Sequence, residues 1–444
     1  MGDEKMLFNT VVVSVIVMAV LSLLRVNVIF AILAAAGVAG LMEGLSLTEA
    51  TNMLVSGMGG QANTALSYIL LGMFAVMIGM SGIAGFLVKN LVRVLRGKRI
   101  ILLLTIAGVA CFSQNLVPIH IAFIPILIPP MLHLFDKMKI DRRGIATALT
   151  FGLKAPYIMI PAGFGLIFKG IIVDEMAASG MDITMSEANL AMLIPGIGMV
   201  IGLFVAVFIT YRKPRSYGDD EAEKVNILRE EEVENTELKF NRRHGFTIVS
   251  IIAALVIQLI TDSLILGALA GIFLMFVLTV IPFKDGENVV NEGIGMMGMI
   301  AFVMLIASGY ATVLKETGAV ESLVDSATGI LGDNKMMIAF IMLLVGLLIT
   351  MGIGSSFGTV PIIAALFVPI CMAVGFSPLA TAALIGTAGA LGDAGSPASD
   401  STLGPTSGLN ADGKHHHIWD TCVPTFLHFN IPLLIFGVIA AMVL

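Results

Sequence analysis

A run of eleven residues, Gly392-Asp-Ala-Gly-Ser-Pro-Ala-Ser-Asp-Ser-Thr402, carries two carboxylates and four hydroxyl groups in an otherwise apolar stretch. An ionisable residue in apolar surroundings is a functional candidate, because its burial is costly unless it is paired. Carboxylate and hydroxyl oxygens can bind a cation such as Na⁺, and carboxylates can also exchange protons. Asp393 and Asp400 are therefore the acids of this run at which a cation or a proton could bind.

Another buried charge is predicted at Lys154, in the run Gly152-Leu-Lys-Ala-Pro-Tyr-Ile-Met-Ile-Pro-Ala-Gly163. Both runs have an apolar lead-in, a charged residue and then a proline, which favours broken helices. Lys154 could pair with Asp393 or Asp400, and a cation or proton could compete with that pair. The alternative is a static salt bridge that holds two parts of the chain together.

Two further polar runs lie among glycines and prolines and suit the tips of re-entrant hairpins. Open backbone at membrane depth must be buried in protein or line an aqueous cavity. Exposed carbonyls and hydroxyls there could bind Na⁺, and free N–H groups at a helix start could hold a carboxylate. The alternative is that these residues only pack helices together. The residues concerned are Ser113, Gln114 and Asn115 in the first run and Ser355, Ser356 and Thr359 in the second.

The composition fixes the broad class of the protein. Of 444 residues, 57% are hydrophobic and only 13% are charged, with a mean hydropathy of +0.98, whereas soluble domains carry about 25% charged residues. A membrane helix needs about 20 mostly apolar residues, and such segments recur along the chain. The sequence therefore predicts an all-α polytopic membrane protein with about 11–12 transmembrane helices. This class excludes soluble enzymes, nucleic-acid-binding proteins and secreted disulfide scaffolds.

The chain divides into two membrane halves joined by one polar segment. Residues 1–211 and 246–444 form the predicted halves, and 212–245 is a predicted cytoplasmic linker in which nine acids and eight bases fall between Arg212 and His244. Lys169 falls inside a span and is expected to extend to the outer membrane surface. The spans are predicted near 7–24, 26–43, 64–88, 100–117 with a return over 118–135, 144–172, 189–211, 246–260, 264–281, 297–314, 336–350 with a return through 374, 378–402 and 418–441.

An internal duplication is visible when the chain is shifted on itself so that Gly57 falls on Gly293, a shift called the repeat offset below. Five helix-breaking residues then align without a gap, although overall identity is low. Such a fixed offset over a long stretch predicts a tandem structural repeat. The aligned pairs are Gly57 with Gly293, Gly59 with Gly295, Gly82 with Gly318, Pro125 with Pro361, and Pro161 with Pro397.

The distribution of Lys and Arg predicts the orientation of the two halves. Placing Lys89–Arg99 in the cytoplasm puts 20 of the 25 basic residues on that side, as the positive-inside rule requires. The equivalent loop of the second half then lies outside, so the halves run through the membrane in opposite directions and both termini are predicted outside. Inverted repeats with broken helices are typical of secondary transporters, whose sites lie near the midplane between the repeats.

The run from Gly392 to Thr402 resembles the G-D-x-x-S-P-x-S-D-[ST]-T signature of NhaC-type Na⁺/H⁺ antiporters, in the ion transporter superfamily of inverted-repeat carriers. The hairpin Gly354–Pro361 shares the resemblance. The run His417–Pro432 is similar to a narrower branch, described as Na⁺/H⁺ antiporter family proteins and as predicted amino-acid, particularly histidine, permeases. The resemblance implies an ion and solute site, with Asp393 and Asp400 as Na⁺ ligands, in a bacterial cytoplasmic membrane protein that forms a homodimer. The site residues that it implies are Asp393, Ser396, Ser399, Asp400, Ser401 and Thr402.

Two functions therefore stay open at the level of sequence. The first is a carrier that couples Na⁺ or H⁺ to a small amino acid, with histidine as the best single candidate. The second is Na⁺/H⁺ antiport without an organic solute. The hydroxyl-rich second half favours the first function, because a pure cation exchanger needs only acids and carbonyls. A channel would show repeated pore-lining rings, and an intramembrane protease would need its acids on facing helices. Asp393 and Asp400 lie in one segment instead, so no catalytic residue is predicted.

Overall fold

Four helices of the first half begin at capping residues whose side chains accept hydrogen bonds from the first turn, among the residues that the structure describes. A computed structural model describes residues 9–24, 26–83, 86, 99–115, 123–217, 240–261, 263–319, 334–397 and 399–444. Asn27 and Asp141, for example, accept hydrogen bonds from the first turn of the helices that follow them. The helices are α1 (Thr10–Leu23), α2 (Val28–Met42), α3 (Leu47–Gly57), α4 (Ala62–Met80), α5 (Arg99–Asn115), α6 (Phe123–Lys137), α7 (Arg142–Met159), α8 (Phe164–Ala178), α9 (Met185–Ala191) and α10 (Leu193–Val205).

The second half repeats this order. Ser263 and Ser377 cap the helices that correspond to those capped by Asn27 and Asp141. The helices are α11 (Arg242–Thr261), α12 (Leu264–Val277), α13 (Gly286–Glu316), α14 (Lys335–Ile353), α15 (Ser356–Val374), α16 (Pro378–Ala390), α17 (Asp400–Leu409) and α18 (His417–Val443), the last containing π-helical turns.

The predicted repeat offset is present in the helix boundaries themselves. Gly82 and Gly318 each follow a helix and have φ angles of 80° and 74°, a left-handed conformation that glycine adopts without a Cβ clash. Pro161 and Pro397 both fall in breaks between helices. Four pairs of helices also begin at positions related by the same offset, at Val28 and Leu264, Arg99 and Lys335, Arg142 and Pro378, and Phe164 and Asp400.

The repeats meet in an antiparallel contact that occurs twice. A Cβ added at Gly57 would lie 3.0 Å from Cα of Gly309, and one at Gly293 would lie 2.8 Å from Cα of Met73. Positions 57 and 293 are equivalent, as are 73 and 309, so the same contact forms with the two repeats exchanged. Residue 57 contacts residue 309, whereas the later residue 73 contacts the earlier residue 293. The contacting helices of the two repeats therefore run antiparallel. A two-fold axis relating them lies across their direction, in the membrane plane, as in inverted-topology repeats.

The helices form two bundles. In the first bundle (α1–α4 and α11–α13), α13 packs along α2, α3 and α4. In the second bundle (α5–α10 and α14–α18), the hairpin α14–α15 packs on α8 of the other repeat, and α6 of the hairpin α5–α6 packs on α17. Each repeat therefore completes the core of the other, which places residues of both repeats around the centre of the second bundle.

The structure corrects the predicted spans at several places. The span at 144–172 is two helices, α7 and α8, bent by 48° at the break between Met159 and Phe164, and the span at 378–402 is likewise divided into α16 and α17. Helix α3 was not expected, because its sequence from Leu47 is amphipathic. Among the described residues, five helices are long and apolar enough to cross a membrane, or six when α7 and α8 count as one, and shorter apolar helices accompany them.

The close contacts between the two repeats at Gly57 and Gly293 can be tested with glycine-to-alanine variants. We expect Gly57→Ala and Gly293→Ala each to destabilise the protein by about 1–3 kcal/mol, because the added methyl groups meet Thr312 and Met73 at 2.3–2.8 Å. Gly59→Ala and Gly295→Ala are the matched controls, since nothing lies within 4 Å of their added Cβ atoms. Thermal unfolding of the four variants in detergent measures the difference; equal melting temperatures would contradict this description of the interface.

Candidate ion and solute site

The signature segment is an irregular stretch between α16 and α17. Gly392 and Gly395 have φ angles of 83° and 126°, conformations that other residues rarely adopt. An added Cβ at Gly392 would also lie 2.7 Å from the carbonyl oxygen of Leu347. The two glycines therefore allow the chain to leave the helix, pass close to α14 and present the side chain of Asp393 at the break.

Asp393 is at the centre of the site and is 1% exposed. Its Oδ2 accepts hydrogen bonds from the backbone N–H of Ser356, at 3.1 Å, and from the Ser356 hydroxyl. Lys154 forms an ion pair with the same oxygen, and the Ser399 hydroxyl donates to Oδ1. The carboxylate is thus held by donors from α7 of the first repeat, from the start of α15 and from its own segment.

Lys154 reaches this carboxylate from the other repeat. Its ammonium lies 5.3 Å from the ring centre of Tyr157, one turn further along α7, and the Tyr157 hydroxyl is hydrogen-bonded to Ser356 at 2.7 Å. Tyr157 and Asp393 are equivalent positions of the two repeats under the repeat offset. The sequence left Lys154 a choice between Asp393 and Asp400, and in the structure it pairs with Asp393.

Hydroxyl groups fix the backbone of the segment. The Ser401 hydroxyl donates to the carbonyl of Asp393 at 3.1 Å, and the Ser401 backbone N–H donates to the Ser399 hydroxyl at 3.1 Å. Thr150 of α7 donates to the carbonyl of Ser401 at 2.8 Å, and Thr402 donates to that of Ser399 at 2.9 Å. These bonds tie the backbone carbonyls of the segment to hydroxyl groups of the segment itself and of α7.

Asp400 occupies the first position of α17 and is half-buried. It lies within electrostatic reach of Lys154 and Asp393, and no ion pair of its side chain is formed within the described residues. The acid and base nearest to it are already bound to each other. Asp400 is therefore the carboxylate of the signature that could accept a cation or an ammonium group without first displacing Lys154.

The other predicted site residues serve the backbone or lie outside the description. Ser355 caps α15, Thr359 donates to the Ser355 carbonyl, and Ser396 donates to the carbonyl of Met351 at 3.0 Å. In the part of the chain that the structure describes, no group of three or more His, Cys, Asp and Glu side chains could hold a metal ion. The backbone of Ser113, Gln114 and Asn115 closes α5, and their side chains lie outside the described residues.

Lys169 does not extend to the membrane surface as expected, because it is 0% exposed. Its ammonium donates to the carbonyl of Tyr157 at 3.1 Å. Tyr157 lies in the last turn of α7, where carbonyls lack helical partners and carry partial negative charge. The break between α7 and α8 supplies this acceptor, and the length of the span alone gave no indication of it.

Three residues around the site were not found from the sequence. Asn430 of α18 binds both sides of the irregular segment, accepting from the N–H of Gly392 at 3.0 Å and donating to the carbonyl of Ala394 at 2.9 Å. Thr150 and Tyr157 are the other two. Tyr157 had a signal, since it aligns with Asp393 under the repeat offset, whereas Thr150 and Asn430 had none in the sequence.

A buried ion pair between two inverted repeats, held at a break in a membrane helix, is typical of a secondary transporter. Comparisons with known proteins agree with this class. Residues 148–438 match the Na⁺/H⁺ antiporter family, and residues 9–95 match a second family described as the Na⁺-H⁺ antiporter family. The chain belongs to the Na⁺/H⁺ antiporter family, of the NhaC type.

Its relatives and structural neighbours are membrane proteins. An uncharacterized membrane protein of Vibrio parahaemolyticus is 52% identical over 98% of this chain and 100% of its own length. YuiF of Bacillus subtilis, named as a candidate amino acid transporter, is 48% identical over 98% and 100%. MtrF of Neisseria gonorrhoeae, described among antimetabolite efflux pumps, shares the fold at 16% identity with a TM-score of 0.61, covering 90% of this chain and 85% of its own. The YdaH transporter of Alcanivorax borkumensis also shares the fold, at 14% identity with a TM-score of 0.61. The match covers 89% of this chain and 88% of that transporter's chain.

Proposed function

We propose that this transporter couples Na⁺ or H⁺ to the movement of a small amino acid across the bacterial cytoplasmic membrane, with histidine as the best single candidate. The observation that carries the proposal is the pairing of Lys154 and Asp393 between the repeats. An amino acid needs one group of each sign, for its carboxylate and its ammonium. The site provides both, with Asp400 as a second acid. The name given to YuiF supports the amino acid.

The ion pair also suggests how ion and solute are coupled. A Na⁺ ion bound to Asp393, or a proton on it, would neutralise the carboxylate and release Lys154. The free ammonium could then bind the carboxylate of the solute, together with the N–H groups at the start of α15. Without the ion, Lys154 stays on Asp393 and the solute has no cationic partner. The conformational change of alternating access would then carry the ion and the solute together, or carry neither of them.

A second candidate is Na⁺/H⁺ exchange without an organic solute. The observation in its favour is the pair of carboxylates, Asp393 and Asp400, which lie within electrostatic reach of each other. Protonation of one would be linked to cation release from the other. In both candidates, the residues that bind the ion are the same.

A reconstitution experiment separates the two candidates. Purified protein in liposomes is given an inward Na⁺ gradient, with labelled histidine and a panel of other amino acids outside and a trapped pH dye inside. We expect Na⁺-dependent accumulation of solute. Alkalinisation of the lumen without solute uptake would contradict the proposal and establish exchange of Na⁺ for protons. The matched control is Asp182→Asn, which changes an exposed carboxylate between α8 and α9 and should transport normally.

The proposed orientation places the linker in the cytoplasm and both termini outside. The structure contains the pairs Arg142–Asp412 and Lys315–Glu175, at opposite ends of the spans, and the sequence predicts the first of these ends to be cytoplasmic. Labelling of single cysteines introduced at Lys414 and Lys315 in intact cells would test the orientation. A homodimer also remains a prediction, which crosslinking in native membranes would test.

A further inference from the structure

Tyr68 of α4 has a buried hydroxyl group without a hydrogen-bond partner among the described residues. The side chain is 1% exposed. Leaving such a group unpaired costs about 1–3 kcal/mol. The two other tyrosines of the described interior that are fully buried do have partners: Tyr157 bonds Ser356, and Tyr310 bonds Ser14, both at 2.7 Å. Tyr68 therefore differs from these two tyrosines, because its buried hydroxyl lacks a described hydrogen-bond partner, which a bound molecule could supply.

The hydroxyl of Tyr68 lies beside the proposed site. It is within electrostatic reach of both Asp400 and Asp393, yet forms a hydrogen bond with neither. Its ring packs on Phe164 and Phe357, with centroids 5.6 Å and 5.5 Å away. The ring is thus fixed by aromatic contacts, and its buried hydroxyl lies near Tyr157 and the two acids without a hydrogen bond to any of them.

The repeats present different chemistry at equivalent positions. Under the repeat offset, Phe164 of the first repeat corresponds to Asp400 of the second, and Tyr157 corresponds to Asp393. Phe357, which follows Ser356 at the hairpin tip, contacts the rings of both Phe164 and Tyr157. The acids of the site therefore come from the second repeat, and the equivalent positions of the first repeat carry aromatic rings. A small molecule with an ammonium group and an apolar frame is complementary to such a combination.

We propose that Tyr68 contacts the solute and determines specificity: its hydroxyl hydrogen-bonds the polar side chain of an amino acid that lies between Asp400 and the aromatic rings. This inference rests on the proposed function and adds the class of solute. The class is an amino acid with a hydrogen-bonding group on a flat or apolar side chain. A site built around such a bond rejects solutes that lack the group, since they leave the buried hydroxyl unpaired.

The position of Tyr68 gives the contact a further consequence. Helix α4 belongs to the first bundle, whereas Asp393, Asp400 and Lys154 belong to the second. A solute that touches Tyr68 and Asp400 therefore bridges the two bundles. Movement of one bundle against the other would break or form this contact.

Binding measurements on two tyrosine variants test the proposal. Purified full-length protein in Na⁺ is titrated with histidine, glutamine, leucine and phenylalanine, and the melting temperature reports apparent affinity. We expect Tyr68→Phe to weaken histidine and glutamine binding about 3- to 10-fold and to change leucine binding less than about 2-fold. Because the variant removes an unpaired hydroxyl, its melting temperature without solute should be equal to or above that of the parent.

The control variant is Tyr310→Phe, which removes a hydroxyl that is bonded to Ser14 in the first bundle. It should lower the melting temperature and leave every affinity unchanged. Unchanged histidine and glutamine binding in Tyr68→Phe, or an equal loss for leucine, would overturn the inference alone. If the unmodified protein binds neither histidine nor glutamine, the inference fails. The proposed function fails with it only if the liposome experiment also shows no uptake of any amino acid in the panel.

Discussion

Asp393→Asn is expected to abolish coupled transport and to lower stability by about 3–5 kcal/mol, since removal of one partner of a buried ion pair leaves the other charge uncompensated. Lys154 is only 8% exposed as a side chain, so its ammonium would have no solvent to replace the lost carboxylate. Lys154→Met should cost a similar amount, because the remaining aspartate is 1% exposed. Uptake in liposomes and thermal unfolding in detergent measure the two effects.

The double variant Asp393→Asn with Lys154→Met separates a functional role from a structural one. Replacing both partners removes both uncompensated charges, so stability should return close to that of the parent. Transport should remain absent, because neither the ion ligand nor the competing ammonium is present. A stable double variant that transports normally would show that the pair only holds the repeats together. Asp393→Asn with near-normal transport would exclude Asp393 as an ion ligand.

Arg142→Met is expected to have the next largest effect, a loss of about 3–5 kcal/mol of stability. Arg142 is 0% exposed and joins the end of α6 to the segment after α17. Its guanidinium forms ion pairs with Asp136 at 2.8 Å and with Asp412 at 2.6 Å, and it donates to the carbonyl of Leu409 at 3.1 Å. Loss of the side chain would leave acids of two segments without their shared partner.

The neighbouring arginine provides the control. Arg143 is 37% exposed and pairs with Asp141, so Arg143→Met should cost less than about 1 kcal/mol, as exposed ion pairs usually do. Unfolding of both variants in detergent gives the comparison. Equal losses would contradict a special role for the buried arginine.

The same cluster gives a pH dependence with a definite sign. Burial alone would raise the pKa of Asp412, but the hydrogen bonds and charge of Arg142 outweigh it and lower the pKa below its ordinary value of 3.8. A carboxyl group with a lowered folded-state pKa contributes stability above its unfolded pKa and loses that contribution as the pH falls through the folded-state value. We therefore expect this part of the stability to disappear below about pH 4. In Arg142→Met it should be smaller, because only Lys414 then remains to lower the pKa of Asp412.

The sequence predicted the architecture because two of its five aligned pairs, Gly82 with Gly318 and Pro161 with Pro397, lie at helix ends in the structure. Gly293, Gly295 and Pro361 lie inside helices, so the other three pairs are not breaks in both repeats. Gly82 and Gly318 need left-handed φ angles, and prolines cannot continue a helix interior without loss of a hydrogen bond. Such residues stay in place when side chains diverge, so the repeat offset survived in them. Helices α8 and α17 begin at the equivalent positions Phe164 and Asp400. Their first residues are chemically unrelated, so the backbone structure of the repeats is the same even where the side chains differ.

The candidate site was only partly predictable, for the same reason. Lys154 and Asp393 were recognisable as buried charges in broken helices, and the two-fold axis brought them together. Tyr68 carried no such sign, since a tyrosine in an apolar helix is compatible with simple packing, and its unpaired hydroxyl is a property of the folded interior. Lys169 was misplaced because the acceptor that buries it, the carbonyl of Tyr157, exists only where α7 ends early.

The separation of Lys154 and Asp393 along the chain has a consequence for biosynthesis. The two residues are 239 positions apart, so at about 5–20 residues per second the ribosome adds Asp393 roughly 10–50 s after Lys154. During that interval the first repeat carries a lysine whose insertion into lipid costs about 2.5–3.5 kcal/mol and whose counter-charge has not yet been made. Helix α7 would therefore remain beside the translocon or lie shallow in the bilayer, and the first half would reach its final depth only when the second half arrives.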